Sequence, residues 1–144
     1  MFRFSKKGVY AVEAVLRIAG ASVHQPLQAR TLSERLGVPR RYLEPVLQEL
    51  VRLRIIRGVR GPRGGYVLAR PAETILVRDI LDVVQMLEHS GDDDSFTGRE
   101  TTAGALAAPL LDDLAKRLDH LFSSRSIADL AQPIAASASL RVAG

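Results

Sequence analysis

The residues with the strongest chemical character are arginines gathered at two places. Arg40, Arg41, Tyr42 and Glu44 lie almost side by side, and Arg60 and Arg63 bracket Gly61-Pro62, with Gly64 and Gly65 directly after. A guanidinium fork can donate to O6 and N7 of guanine together, a carboxylate can accept from N4 of cytosine, and a phenol can bind a phosphate oxygen. Arginine at a hairpin tip is drawn to the negative potential of a narrow minor groove, and paired glycines let a tip turn sharply and approach another surface. Lys6 and Lys7 are candidates for flanking phosphates, with plain solvation an equal alternative. The ordinary reading of all these residues is a solvated helix start and a surface hairpin whose glycines only turn the chain.

Charge distribution weighs against that ordinary reading. Residues 1–78 hold 15 Lys+Arg against 5 Asp+Glu, and residues 79–144 hold 5 against 11, which gives +10 and −6 within the total of +4. Of the 15 basic residues, 13 are arginine, whose planar fork suits phosphate and base edges better than the point charge of lysine. A basic half joined to an acidic half describes a polyanion-binding module carrying a separate, non-binding part. Charge alone would also fit an acidic protein partner.

Other chemistry is poorly supplied. With no cysteine among the 144 residues, thiolate zinc sites, cysteine-ligated iron–sulfur clusters, cysteine nucleophiles and a disulfide scaffold are excluded. The histidines are His24, His89 and His120, no acid/base pair stands out, and the glycine-rich Gly61–Gly65 lies between strands rather than before a helix. No catalytic residue, metal site or cofactor is expected. His89, Asp92, Asp93, Asp94 and Glu100 can in principle offer oxygen ligands to a hard cation, but an acidic loop is the favoured reading. Apolar runs fall short of a membrane span and the start of the chain has no secretory h-region, so the expected location is cytoplasmic, with no membrane partner.

The elements that must position the arginines follow from periodicity. Ser5 can cap a first helix to about Gly20 carrying Val9, Val12, Leu16 and Ala19 on one face. Residues 21–27 read as a loop. A short second helix with Leu32 and Leu36 ends at Gly37, and after Gly37-Val38-Pro39 a third helix carries Leu43, Val46, Leu47 and Leu50. Two short helices around a tight turn are a helix-turn-helix. With that stripe facing the core, Arg40, Arg41, Tyr42 and Glu44 occupy the exposed start of the helix that enters the major groove in this motif. Pro45 misfits a helix interior, so the helix starts near Arg41 or is distorted there. Residues 54–60 and 66–70 then form strands around Gly61–Gly65, a wing.

The C-terminal part supplies a different pattern. Leu111, Leu114, Leu118 and Leu121 repeat as an a/d seam on a helix of about 102–123, and Leu110 and Phe122 widen the stripe. A second copy of the chain is the favoured cover for it; packing on its own winged-helix domain is the alternative. Ser126-Ile127-Ala128-Asp129 reads as a capping box opening a last short helix that Pro133 stops.

The string from Arg60 to Arg70 (RGPRGGYVLAR) resembles the wing signature of the Rrf2 family of bacterial winged-helix transcription regulators. Ser5 to Val12 resembles that family's N-terminal helix, Arg41-Tyr42-Leu43-Glu44 its recognition helix, and Leu76-Val77-Arg78-Asp79-Ile80 the start of its linking helix. The resemblance implies a homodimer on a roughly palindromic operator of double-stranded DNA, with wings in the minor groove. Two departures stand out. Many members hold an iron–sulfur cluster on three cysteines where this chain has His89 to Glu100 and none, and Leu76 replaces a usual capping Thr or Ser, which leaves open a start of the linking helix elsewhere.

The expected fold is mainly α with a small β-hairpin, a winged helix-turn-helix domain plus a C-terminal dimerisation helix. Its parts are a DNA-binding domain at 1–74 (helix-turn-helix about 28–51, wing about 55–70), a linking helix at 75–88, an acidic loop at 89–101, and a dimerisation helix and tail at 102–144. The expected function is a homodimeric, sequence-specific transcriptional regulator, a repressor not dependent on iron–sulfur chemistry, with effector unknown. The alternative is an adaptor for protein or RNA without sequence-specific DNA readout.

Overall fold

In a computed structural model, residues 5–22, 24–89 and 104–132 are described, with side chains left out at 89 and 104–112. Five α-helices, a two-stranded antiparallel sheet and a further helical segment at residues 127–132 follow one another along this part of the chain. Helix α1 (Lys6–Ala19) starts where the sequence places it, with the Ser5 hydroxyl accepting the Gly8 amide at 3.1 Å. Its core face differs from the expected one. Gly8, Ala11, Ala14, Val15 and Ile18 are buried, whereas Val9 is 53% exposed and Val12, Leu16 and Ala19 are only half-buried. Small residues at 8, 11 and 14 let neighbouring helices approach this face closely, and that close packing, rather than side-chain size, selects the buried side.

Helices α2 (Ala29–Leu36) and α3 (Arg40–Arg52) form the helix-turn-helix. Gly37 ends α2 at φ 64°, a left-handed conformation that costs a glycine little. The Ser33 hydroxyl then donates to the Val38 carbonyl at 2.6 Å, which fixes the turn while Val38 packs inward. Leu43, Val46, Leu47 and Leu50 are each at most 1% exposed, as their spacing predicts. Helix α3 begins at Arg40, so Pro45 lies beyond the first turn, yet the helix runs through it without interruption. Arg54 ends the helix at φ 57° and turns Ile55 and Ile56 into the core.

The hairpin pairs β1 (Ile56–Val59) with β2 (Gly65–Leu68) in the register Ile56↔Leu68 to Val59↔Gly65. Gly65 therefore belongs to a strand rather than to the connecting loop, and the strands are shorter than expected. Residues 21–27 are not wholly loop either. Leu27 bridges Tyr66, with Leu27 N–H to the Tyr66 carbonyl at 3.0 Å and Tyr66 N–H to the Leu27 carbonyl at 2.8 Å. Strand β2 is thereby bonded on both edges, which ties the start of α2 to the wing.

Helix α4 (Val77–His89) follows a 3-10 turn (Ala72–Thr74), and α5 spans Gly104–Ser123. Leu76 offers no capping hydroxyl. Asp79, three residues on, accepts the Leu76 amide at 2.9 Å instead, and the helix begins at Val77 directly after Leu76. The segment after α5 packs on the start of α4 and the turn before it. Val77 N–H donates to the Arg125 carbonyl at 2.9 Å, Ile127 N–H to the Ile75 carbonyl at 2.8 Å, and Ile127 is fully buried. Burying that side chain contributes about 1.5–3 kcal/mol. The capping box forms: Ser126 N–H donates to Asp129 Oδ2 at 2.9 Å, and Asp129 N–H to Ser126 Oγ at 3.1 Å. Residues 127–132 are helical. Pro133 and the acidic stretch 90–103, including Asp92, Asp93 and Asp94, lie outside the described residues.

Candidate nucleic-acid interface

The start of α3 presents its polar residues outward because the buried leucine and valine stripe occupies the opposite side. Arg40, Arg41, Tyr42 and Glu44 are all exposed, Tyr42 at 51%. An aromatic ring of that size left in water is available to another surface. Arg40 pairs with Glu44 one turn along at 2.9 Å. Arg41 lies with its guanidinium carbon 4.8 Å from the Tyr42 ring centroid and donates to the phenol oxygen at 3.2 Å. The cations are thus held in place before any ligand arrives. Exposed pairs of this kind are each worth under about 1 kcal/mol, so exchanging Glu44 for a base edge or phosphate costs little.

At the wing, Arg60 and Arg63 are exposed on the tip. Gly64 and Gly65 are required by the protein's own packing. A Cβ at Gly64 would sit 2.2 Å from the Val59 carbonyl oxygen, and one at Gly65 would sit 2.6 Å from the Leu27 backbone. The two glycines close the tip and seat the hairpin on residue 27, and the arginines carry the outward chemistry. Two residues missed in the sequence join this surface. Arg57 is exposed on β1, as alternation from buried Ile56 requires, and Gln28 Nε2 donates to the Pro62 carbonyl at 3.5 Å, linking α2 to the tip. The Gln28 contact has no signal in sequence spacing because it joins residues 34 positions apart.

The foot of the wing is clamped to α4. Arg70 lies 3.1 Å from Asp79 Oδ2 through Nη2, and its Nη1 donates to the Thr74 carbonyl. Lys6 and Lys7 are exposed in the first turn of α1, between Ser5 and Gly8, which line a cleft of about 470 Å³ shared with α4 and α5. Arg78 crosses that cleft, bonded to Asp119 of α5 and 3.5 Å from Asp82. The Asp119 carboxylate, and secondarily Asp82, hold the Arg78 pKa above its ordinary value.

On α5, Leu114 and Leu121 are 55% and 56% exposed, Leu118 is half-buried, and the Leu111 side chain lies outside the described residues. Leu121 and Phe122 join exposed Val9 with Val12, Leu81 and Leu130 around an apolar cleft of about 420 Å³. Among the described residues no three His, Asp or Glu side chains gather at metal-binding distance, and no helix is long and apolar enough to cross a membrane.

A family model described as Rrf2, iron-dependent transcriptional regulator, matches residues 4–133. The chain is 35% identical over 131 residues to the HTH-type transcriptional regulator IscR of Photorhabdus laumondii subsp. laumondii, covering 89% of this chain and 78% of that protein. The IscR of Xenorhabdus nematophila is 34% identical with the same coverage. Among solved structures, T. potens IscR superposes with a TM-score of 0.73 at 28% identity, over 92% of this chain and 88% of that one. CymR, the global cysteine regulator of B. subtilis, shares the fold with a TM-score of 0.67 at 22% identity, over 92% and 98% of the two chains.

Proposed function

This chain belongs to the Rrf2 family of transcriptional regulators, and from that premise we propose that it is a homodimeric repressor that reads a palindromic operator through the start of α3 and the tip of the wing. It is a DNA-binding regulator and not an enzyme. The observation that carries the finer reading is the coexistence of a fully buried stripe on α3 with an exposed cluster of Arg40, Arg41 and Tyr42 at its start. In this reading Arg40 or Arg41 grips guanine, Tyr42 holds a phosphate, Glu44 selects cytosine, and Arg60 and Arg63 enter the minor groove. Lys6 and Lys7 contact flanking phosphates. Leu114 and Leu121 meet their counterparts in a second copy, which brings two reading heads to two half-sites and raises the effective concentration of the second. Occupying a promoter then excludes polymerase.

The family description names iron, and the donor set here does not fit a thiolate-held iron group. The chain has no cysteine, and the described residues between the wing and α5 bring no ligand cluster together. Regulation in this chain is therefore not assigned to an iron–sulfur cluster.

Selection from a random duplex pool by the purified protein at about 0.15 M salt is expected to yield a palindrome of fixed half-site spacing. Affinity for it should fall steeply with salt, by nearly one unit of log–log slope per phosphate neutralised. Arg41→Ala should weaken it about tenfold and relax one base position. No enrichment, together with unchanged affinity in Arg41→Ala and Arg60→Ala, would overturn this reading in favour of an adaptor for protein or RNA.

A further inference from the structure

Five polar contacts converge on the few residues that join the wing to the rest of the chain. Arg70, just beyond β2, donates to the Thr74 carbonyl and pairs with Asp79 at 3.1 Å, and the same Asp79 oxygen accepts the Leu76 amide at 2.9 Å. On the other side of this turn, Val77 N–H is held by the Arg125 carbonyl and the Ile75 carbonyl by Ile127 N–H. One turn of chain is therefore bonded at once to the foot of the wing and to the segment that follows α5.

We infer that Arg70 and Asp79 are positioning residues for the wing, a clamp that sets where Arg60 and Arg63 stand relative to α3 and ties that setting to the C-terminal segment. The hairpin itself is short, with four residues per strand, and an isolated two-stranded ribbon is marginally stable in water. Its distal part is held by the Leu27 bridge and the Gln28 contact. At its foot, the Arg70–Asp79 pair is the ion pair described that joins the wing to α4, and both side chains are about one-third exposed. A charge-assisted pair at that burial, sharing its acceptor with a helix-start amide, orients the strand end more firmly than a fully exposed pair does. Neither residue belongs to the proposed DNA-contacting set, so their effect on binding passes through the wing.

The inference rests on the proposed role of the wing, and a double-mutant cycle on operator affinity separates the two. Arg60→Ala alone should weaken binding about tenfold, and Arg70→Met should weaken it to about the same extent. In the Arg70→Met background Arg60→Ala should cost less than about twofold, because a wing released at its foot no longer delivers Arg60. Arg41→Ala should keep its full effect in that background. Arg78→Met removes one positive charge from the first turn of α4, beside Asp79, without touching the wing, and its effect should add to that of Arg60→Ala. Asp79→Asn keeps an acceptor for the Leu76 amide and should reproduce Arg70→Met.

Additivity of Arg70→Met with Arg60→Ala, accompanied by a salt slope lower by about one, would overturn the clamp by making Arg70 a direct phosphate contact. An unchanged affinity in Arg70→Met would also overturn it. No effect of Arg60→Ala in the parent protein would instead overturn the wing's role in reading DNA.

Discussion

Two apolar stripes of nearly the same helical spacing meet opposite fates in this molecule. On α3, Leu43, Val46, Leu47 and Leu50 are sealed in the core at 1% exposure or less, while on α5 Leu114 and Leu121 remain more than half exposed. The difference lies in what surrounds each helix. Helix α3 is enclosed by α1, α2, α4 and β1, which supply a complete apolar shell, whereas α5 rests on α4 and keeps Leu114 and Leu121 outside the core. Spacing thus specifies that a helix has an apolar face, and only the neighbouring elements determine whether the chain covers that face itself.

The comparison breaks most readily at its buried member. Leu47→Ala should cost about 2–5 kcal/mol of unfolding free energy in urea titration, since it opens a cavity at a fully buried core position. Leu114→Glu with Leu121→Glu should leave the helical content intact and convert a dimer to monomer in sedimentation. Failure to change the association state would remove these residues from the interface. Ser126→Ala should cost about 1 kcal/mol by uncapping the C-terminal helical segment.

A smaller effect sharpens the comparison through pH. The Ser126 amide first, and its hydroxyl second, hold the Asp129 carboxyl below its ordinary value of 3.8. A depressed carboxylate contributes stability that is present above its unfolded pKa and is lost as pH falls through the folded one. Docking of the C-terminal segment should therefore be constant near neutrality and weaken only below about pH 4. Asp129→Asn should flatten that acid limb in a pH titration of unfolding. The smallest effect is expected at Glu34→Gln, which removes an exposed pair with Arg30 and should change stability by under about 0.5 kcal/mol in the same urea experiment.

Much of the fold was legible because local physics governs it. The Ser5 cap, the left-handed Gly37, the α3 stripe, the hairpin and the Ser126–Asp129 capping box each depend on residues a few positions apart. The chemical character of the candidate reading surface was legible for the same reason, since Arg40, Arg41, Tyr42 and Glu44 share one helical turn and Arg60 and Arg63 share one tip. Arg57 was readable too, by alternation from Ile56.

What the sequence by itself determined is therefore the main helices and the hairpin, the caps at Ser5, Gly37 and Ser126, and the basic character of one half of the chain, because propensity, capping and charge act over a few residues. Tertiary structure alone decided which face of α1 is buried, leaving Val9 in water, because that choice depends on how closely other helices approach its small residues. It alone joined Leu27 to Tyr66 and Gln28 to the wing tip, recast Gly64 and Gly65 as packing residues, and brought Arg70 to Asp79. Those contacts depend on the direction in which each element leaves the last, a geometric quantity that one-dimensional spacing does not carry.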